Sequence, residues 1–105
     1  MKKAVFAAAS IIVLCIVFAS SMAIAASNYD QAMDAYRHGN YKQSAALLET
    51  YLKDHPSAEG YYLLGYSYYK LGRKKDAMTN FNQSYLIDPE FKPETLNKEL
   101  NTGGK

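Results

Sequence analysis

The strongest constraint on the fold is an internal repeat of 33 residues, which appears when the sequence is compared with itself. Identical residues coincide in these pairs: Tyr29 with Tyr62, Tyr36 with Tyr69, Gly39 with Gly72, Lys42 with Lys75 and Pro56 with Pro89. A period of this length is typical of a supersecondary unit that buries its apolar side against the next copy. We therefore expect one structural unit to be used twice.

Apolar spacing in the second copy predicts two helices. The first carries apolar residues at i, i+3, i+7 and i+10, which form one stripe: Tyr61, Leu64, Tyr68 and Leu71. We expect Gly72 to end this helix, because glycine readily adopts the left-handed conformation that closes a helix. The second helix carries apolar residues at i, i+4 and i+8, namely Ala77, Phe81 and Tyr85. It is expected to stop at Asp88-Pro89.

The first copy has the same plan. Ser27 or Asn28 can cap its first helix, which Gly39 should end. Asn40 and Gln43 predict a capping box for the second helix, whose apolar residues are Tyr41, Ala45, Leu48 and Leu52. His55-Pro56 should end that helix. No segment after residue 28 alternates with period two over a useful length, so the sequence predicts an all-α fold.

The second copy resembles the tetratricopeptide repeat, on these residues in order: Tyr61, Leu64, Gly65, Tyr68, Gly72, Ala77, Phe81 and Pro89. The first copy matches less closely and keeps Ala32, Gly39, Ser44, Leu48 and Pro56. We expect Gly65 and Ala77 to lie where paired helices touch, since larger side chains there would separate them.

This resemblance implies a right-handed solenoid of helical hairpins. The first repeat would cover residues 26–57 and the second 58–91, followed by a cap helix at 92–101 and a flexible tail at 102–105. Two repeats are fewer than such folds usually need, so we expect marginal stability. Self-association into a homo-oligomer, or a bound partner, would relieve it.

The family resemblance also implies a function, which is to bind another protein or peptide in a concave groove lined by the first helix of each pair. The residues expected to line that groove are Tyr29, Met33, Tyr36 and Arg37 from the first copy and Tyr62, Tyr66, Tyr69 and Lys70 from the second. Each set recurs at i, i+4, i+7 and i+8, so its members share one helix face. Because Arg37 and Lys70 are cationic, an acidic or carboxylate-bearing peptide is the expected ligand class.

Residues 1–25 have the composition of a secretory signal peptide. Lys2 and Lys3 precede a long apolar run, and Ala23-Ile24-Ala25 offers the small residues at which a signal peptidase cleaves. We expect cleavage after Ala25 and export across a bacterial inner membrane, to the periplasm or beyond. The alternative is an uncleaved anchor, which would make the chain a single-span subunit that faces the periplasm and helps to assemble an envelope complex.

Several other functions are disfavoured by the sequence. Beyond residue 25 the charge is balanced, because 12 Lys and Arg less the 2 in the leader leave 10 against 10 Asp and Glu, which argues against a nucleic-acid binder. The single cysteine, Cys15, lies in the leader, and His38 and His55 are isolated, so no metal or other cofactor is expected. No arrangement of acid, base and nucleophile is visible. The expectation is therefore not an enzyme, with a small-ligand binder or enzyme as the remote alternative.

Overall fold

The computed structural model describes residues 28–103. Helix α1 covers residues 28–37, and α2 to α5 span Tyr41–Asp54, Ala58–Lys70, Lys74–Ile87 and Pro93–Thr102. None of the described residues forms a strand. The all-α prediction is thus confirmed, as two helix pairs followed by one further helix. The predicted leader at 1–25, the proposed cap residue Ser27 and the last two residues of the predicted tail lie outside the described residues.

A glycine turn closes each helix pair. Gly39 and Gly72 have φ values of +80° and +78°, in the left-handed region. In each turn the residue after glycine donates its backbone N–H to a carbonyl five residues earlier. Asn40 bonds to the Ala35 carbonyl at 2.8 Å, and Arg73 to the Tyr68 carbonyl at 2.9 Å. This is the Schellman arrangement, which confirms the predicted role of both glycines.

Of the other helix ends, the structure confirms the predicted ends of α2 and α4 but not the predicted start of α2. Helices α2 and α4 stop directly before His55-Pro56 and Asp88-Pro89, as predicted. The capping box predicted for α2 is wrong, because the Asn40 side chain makes no capping hydrogen bond. The backbone N–H of Asn40 closes the preceding glycine turn, and that geometry sets its φ and ψ at −86° and 65°.

Helix α3 is the centre of the core and packs against α2 on one side and α4 on the other. At Gly65 the α3 backbone comes so close to α4 that an added Cβ would lie 2.5 Å from two ring carbons of Phe81 and 3.1 Å from the Ala77 carbonyl oxygen. The predicted close approach at Gly65 and Ala77 is confirmed. The apolar stripe predicted for α3 is shorter than expected, because its last member, Leu71, lies after the end of the helix and is 40% exposed.

Two fully buried serines join the first three helices. The Ser44 hydroxyl on α2 donates to the Ala32 carbonyl on α1 at 2.9 Å. The Ser67 hydroxyl on α3 lies 3.1 Å from the Ser44 hydroxyl and 3.0 Å from the Leu63 carbonyl. Because these polar atoms are partnered, the small side chains allow close packing without an unsatisfied group.

Candidate functional site

The predicted groove residues lie on α1 and α3, which are neighbours in the structure. The rings of Tyr36 on α1 and Tyr66 on α3 have centroids 6.2 Å apart. We call the surface of these two helices the α1–α3 face and define it by Tyr29, Met33, Tyr36, Arg37, Tyr62, Tyr66, Tyr69 and Lys70. Met33 and Tyr29 at the amino-terminal end of the face pack into the protein, and the other six residues form three groups that differ in exposure and contacts.

The first group consists of partly buried tyrosines in mutual contact. The Tyr62 ring lies 4.9 Å from that of Tyr66 and 4.6 Å from that of Phe81, while Tyr36 lies 5.1 Å from Tyr41. Burial raises the pKa of Tyr62 to about 12, and its phenol neighbours add to the effect. Burial likewise raises the pKa of Tyr36. Both phenols therefore remain protonated at neutral pH and can donate hydrogen bonds.

The amino-terminal part of the face is packed into the protein. Met33 is 6% exposed and belongs to the core cluster, so it is not accessible to a partner in this structure. Tyr29 packs against Tyr51 with ring centroids 5.3 Å apart. Burial raises the pKa of Tyr29, and the carboxylates of Glu99 and Glu59 raise it further.

Arg37 forms the second group and connects α1 to α5. Its Nη1 pairs with Asp34 at 2.7 Å. Its Nε donates to the Leu100 carbonyl and its Nη2 to the Glu99 carbonyl, both at 3.0 Å. These carbonyls belong to the last turn of α5, and the Glu99 carbonyl also accepts the backbone N–H of Gly103 at 3.1 Å. Arg37, one of the two cations predicted to bind a ligand, is therefore already paired with Asp34 and with the end of α5.

Helix α5 and the residues before it lie against the rest of this region. The Phe91 ring is 5.2 Å from that of Tyr62, and Leu96 is fully buried in the core cluster. The Tyr66 hydroxyl donates to Oδ1 of Asn97 at 3.2 Å. The sequence predicted a cap helix at 92–101 from its modest apolar side, but the spacing of Phe91, Leu96 and Leu100 did not indicate that the helix would contact both α1 and α3.

The third group, Tyr69 and Lys70, remains exposed at the carboxyl end of α3. The Tyr69 side chain is 59% exposed. Beside it lies a cleft of about 410 Å³, lined by Tyr36, Arg37, Tyr41, Lys70, Leu100 and Asn101. This cleft joins the ends of α1, α3 and α5, so it is the part of the α1–α3 face that α5 leaves accessible.

Other kinds of site find little support in the part of the chain that the structure describes. Residues 28–103 contain no group of three or more His, Cys, Asp or Glu side chains placed to hold a metal ion. Over the same residues, no helix combines the length and the apolar character needed to cross a membrane.

Comparison with known families agrees with this architecture. A family model described as tetratricopeptide repeat matches residues 29–92, which is more than half of the chain. The match begins in α1 and stops before α5, so it covers the two helix pairs. No match to the sequence was found among curated proteins.

Proposed function

The chain belongs to the tetratricopeptide repeat family, and on this premise we propose that it is a protein–protein interaction scaffold that binds its partner on the α1–α3 face. Members of this family are generally scaffolds and not enzymes, and the first helix of each pair forms their concave surface. Here the first helices are α1 and α3, which carry the tyrosines described above.

The observation that carries the proposal is the exposed aromatic and cationic end of this face. Tyr69 is 59% exposed, and the adjoining cleft is lined in part by Lys70 and Tyr36. Exposed tyrosine suits protein contacts, because a rigid ring offers contact area at a low entropic cost and its hydroxyl can remain hydrated. Lys70 supports an acidic side chain or a terminal carboxylate as the partner group near this end. Arg37 contributes less to this preference, since it is paired with Asp34.

The proposal is tested by changing exposed residues whose loss leaves the core intact. We expect Tyr69→Ala combined with Lys70→Glu to abolish partner capture while preserving helicity by circular dichroism. The partner is identified beforehand by photo-crosslinking from position 69 and mass spectrometry. The matched control is Met78→Ala, a residue that is 57% exposed and lies on α4, outside the α1–α3 face. Unchanged capture by the double variant would contradict binding at this surface.

We also propose that the scaffold is exported and acts outside the bacterial inner membrane. The support is the leader composition, with Lys2 and Lys3 before an apolar run that ends in small residues. The mass of the mature protein tests this proposal. Loss of residues 1–25 is expected, whereas an intact leader in a membrane fraction would favour the anchored alternative.

A further inference from the structure

Helix α5 does not cover the end of the repeat stack, as a terminal helix usually does. On α4, Met78 is 57%, Leu86 75% and Ile87 42% exposed. The first-repeat position equivalent to Met78 is Ala45, which is 5% exposed. Helix α5 thus leaves apolar residues of the last repeat uncovered and lies against the α1–α3 face instead. It also lies outside the family match.

We infer that α5 is a resident occupant of the binding face, and that the partner is an amphipathic helix of the same chemistry that displaces it. This inference rests on the proposed function. The pattern required of the partner is an aromatic residue, a leucine five positions later and a second leucine four positions after that. In this chain Phe91, Leu96 and Leu100 have that spacing.

The contacts of Arg37 favour a helix over an extended peptide. Its guanidinium donates hydrogen bonds to the carbonyls of two consecutive residues, Glu99 and Leu100, at 3.0 Å each. Consecutive carbonyls point in the same direction at the end of a helix, whereas in an extended strand they point to opposite sides. A cation is also favoured beside the carboxyl end of a helix dipole. The site around Arg37 therefore recognises the end of a helix.

The apolar anchors define the rest of the ligand. Leu96 is fully buried and Phe91 is 7% exposed, with its ring against Tyr62. Asn97 accepts the hydrogen bond from Tyr66. A competing helix must supply the same apolar groups, since polar replacements would be buried without partners.

Helix α5 is attached lightly enough to be exchanged. Seven residues of α3 are buried, but Leu96 is the one buried residue within α5. A helix of ten residues is not stable in isolation, so α5 depends on this contact for its structure. Helices α1 to α4 have packing of their own, because α3 packs against both α2 and α4.

The test uses a fluorescent synthetic peptide of residues 88–103 and the full chain. Tethering gives the resident helix an effective concentration of about millimolar, so the wild-type chain should bind the peptide weakly. Leu96→Asp in the chain should release α5 and tighten peptide binding at least tenfold. The same substitution in the peptide should abolish binding. Arg37→Ala in the released chain should weaken binding at least fivefold. The matched control is Leu86→Asp, which changes an exposed leucine on α4 and should bind like wild type.

Three results would overturn the inference. The first is equal peptide affinity of the wild-type and Leu96→Asp chains, and the second is no binding to a folded Leu96→Asp chain. The third is loss of the helical signal of α1 to α4 on Leu96→Asp substitution, because α5 would then be an indispensable part of the fold. Hydrogen exchange gives a second measurement on the wild-type chain, where α5 amides should exchange before those of α3.

Failure of this inference can be distinguished from failure of the proposed function. If α5 cannot be displaced but Tyr69→Ala with Lys70→Glu still abolishes partner capture, the scaffold binds its partner at the exposed end alone. If the peptide exchanges with α5 but Tyr69→Ala with Lys70→Glu leaves partner capture unchanged, the α1–α3 face is not where the partner binds.

Discussion

Replacing Gly65 with alanine tests how closely the second helix pair must approach. An added methyl group would lie 2.5 Å from Cδ1 and Cε1 of Phe81, whereas carbon atoms normally approach to about 3.5–4.0 Å. The ring must therefore move by about 1 Å or more. The rings of Tyr62 and Tyr66, with centroids 4.6 and 5.6 Å from that of Phe81, stand in its way.

Two opposing effects set the magnitude. Alanine favours a helix over glycine by about 1 kcal/mol, and overpacking a core costs about 1–3 kcal/mol. Because the Phe81 ring is confined on the side of the tyrosines, we expect the upper part of that range. The net loss in the free energy of unfolding should be about 1–2 kcal/mol, which corresponds to a fall in Tm of about 4–16 °C for a domain of this size.

Urea denaturation followed by circular dichroism measures this effect. The matched background is Phe81→Val, which lacks the δ and ε carbons that the new methyl would meet. In that background the 3.1 Å approach to the Ala77 carbonyl oxygen remains and opposes the helix preference for alanine, which is about 1 kcal/mol. Gly65→Ala should therefore be close to neutral there, and a double-mutant cycle gives the coupling. Stabilisation of the wild-type chain, or an equal effect in both backgrounds, would refute the steric explanation.

Other predictions concern a turn, a phenol and the buried hydroxyls. Gly72→Ala should lower the free energy of unfolding by about 1–2 kcal/mol, because φ is +78° while the space around a Cβ is empty, and Gly72→Asn should cost less in the same urea titration. Stability should fall between pH 10 and 12, because the unfolded chain loses the Tyr62 proton there while the folded chain keeps it. Urea midpoints should decline less steeply with pH in Tyr62→Phe than in Tyr69→Phe, the matched change on an exposed ring. Ser67→Ala and Ser44→Ala should each lower the free energy of unfolding by about 1 kcal/mol. The double variant should lower it by less than the sum, because the two hydroxyls bond to each other.

The fold could be predicted from the sequence because its main determinants are local. Gly39 and Gly72 close turns whose geometry depends on neighbouring residues, and Pro56 and Pro89 follow the ends of α2 and α4 because proline cannot continue a helix. The 33-residue period then requires the second pair to repeat the first. The predicted capping box was wrong for a local reason too, since the backbone N–H of Asn40 bonds to the Ala35 carbonyl in the preceding turn.

The site was harder to predict because its contacts join residues far apart in sequence. Helical spacing correctly placed Tyr36, Tyr66 and Tyr69 on a pair of neighbouring helices. It could not distinguish Met33, which is buried in the folded chain, from an exposed residue at the same spacing. Nor could it predict that Arg37 would reach carbonyls 62 and 63 residues away, because backbone carbonyls carry no residue signature.

Helix α3 and Arg37 have different roles: α3 forms the core between the two helix pairs, and Arg37 binds the helix that covers the α1–α3 face. Helix α3 packs on both sides and holds the two hairpins together, so the tyrosines that it carries keep their positions whatever covers them. Arg37 instead contacts the end of α5 through hydrogen bonds to backbone atoms, which any helix end can offer. Discrimination among helices must then come from the apolar contacts at the positions of Phe91 and Leu96, where a mismatched side chain would lose burial or leave a polar group without a partner.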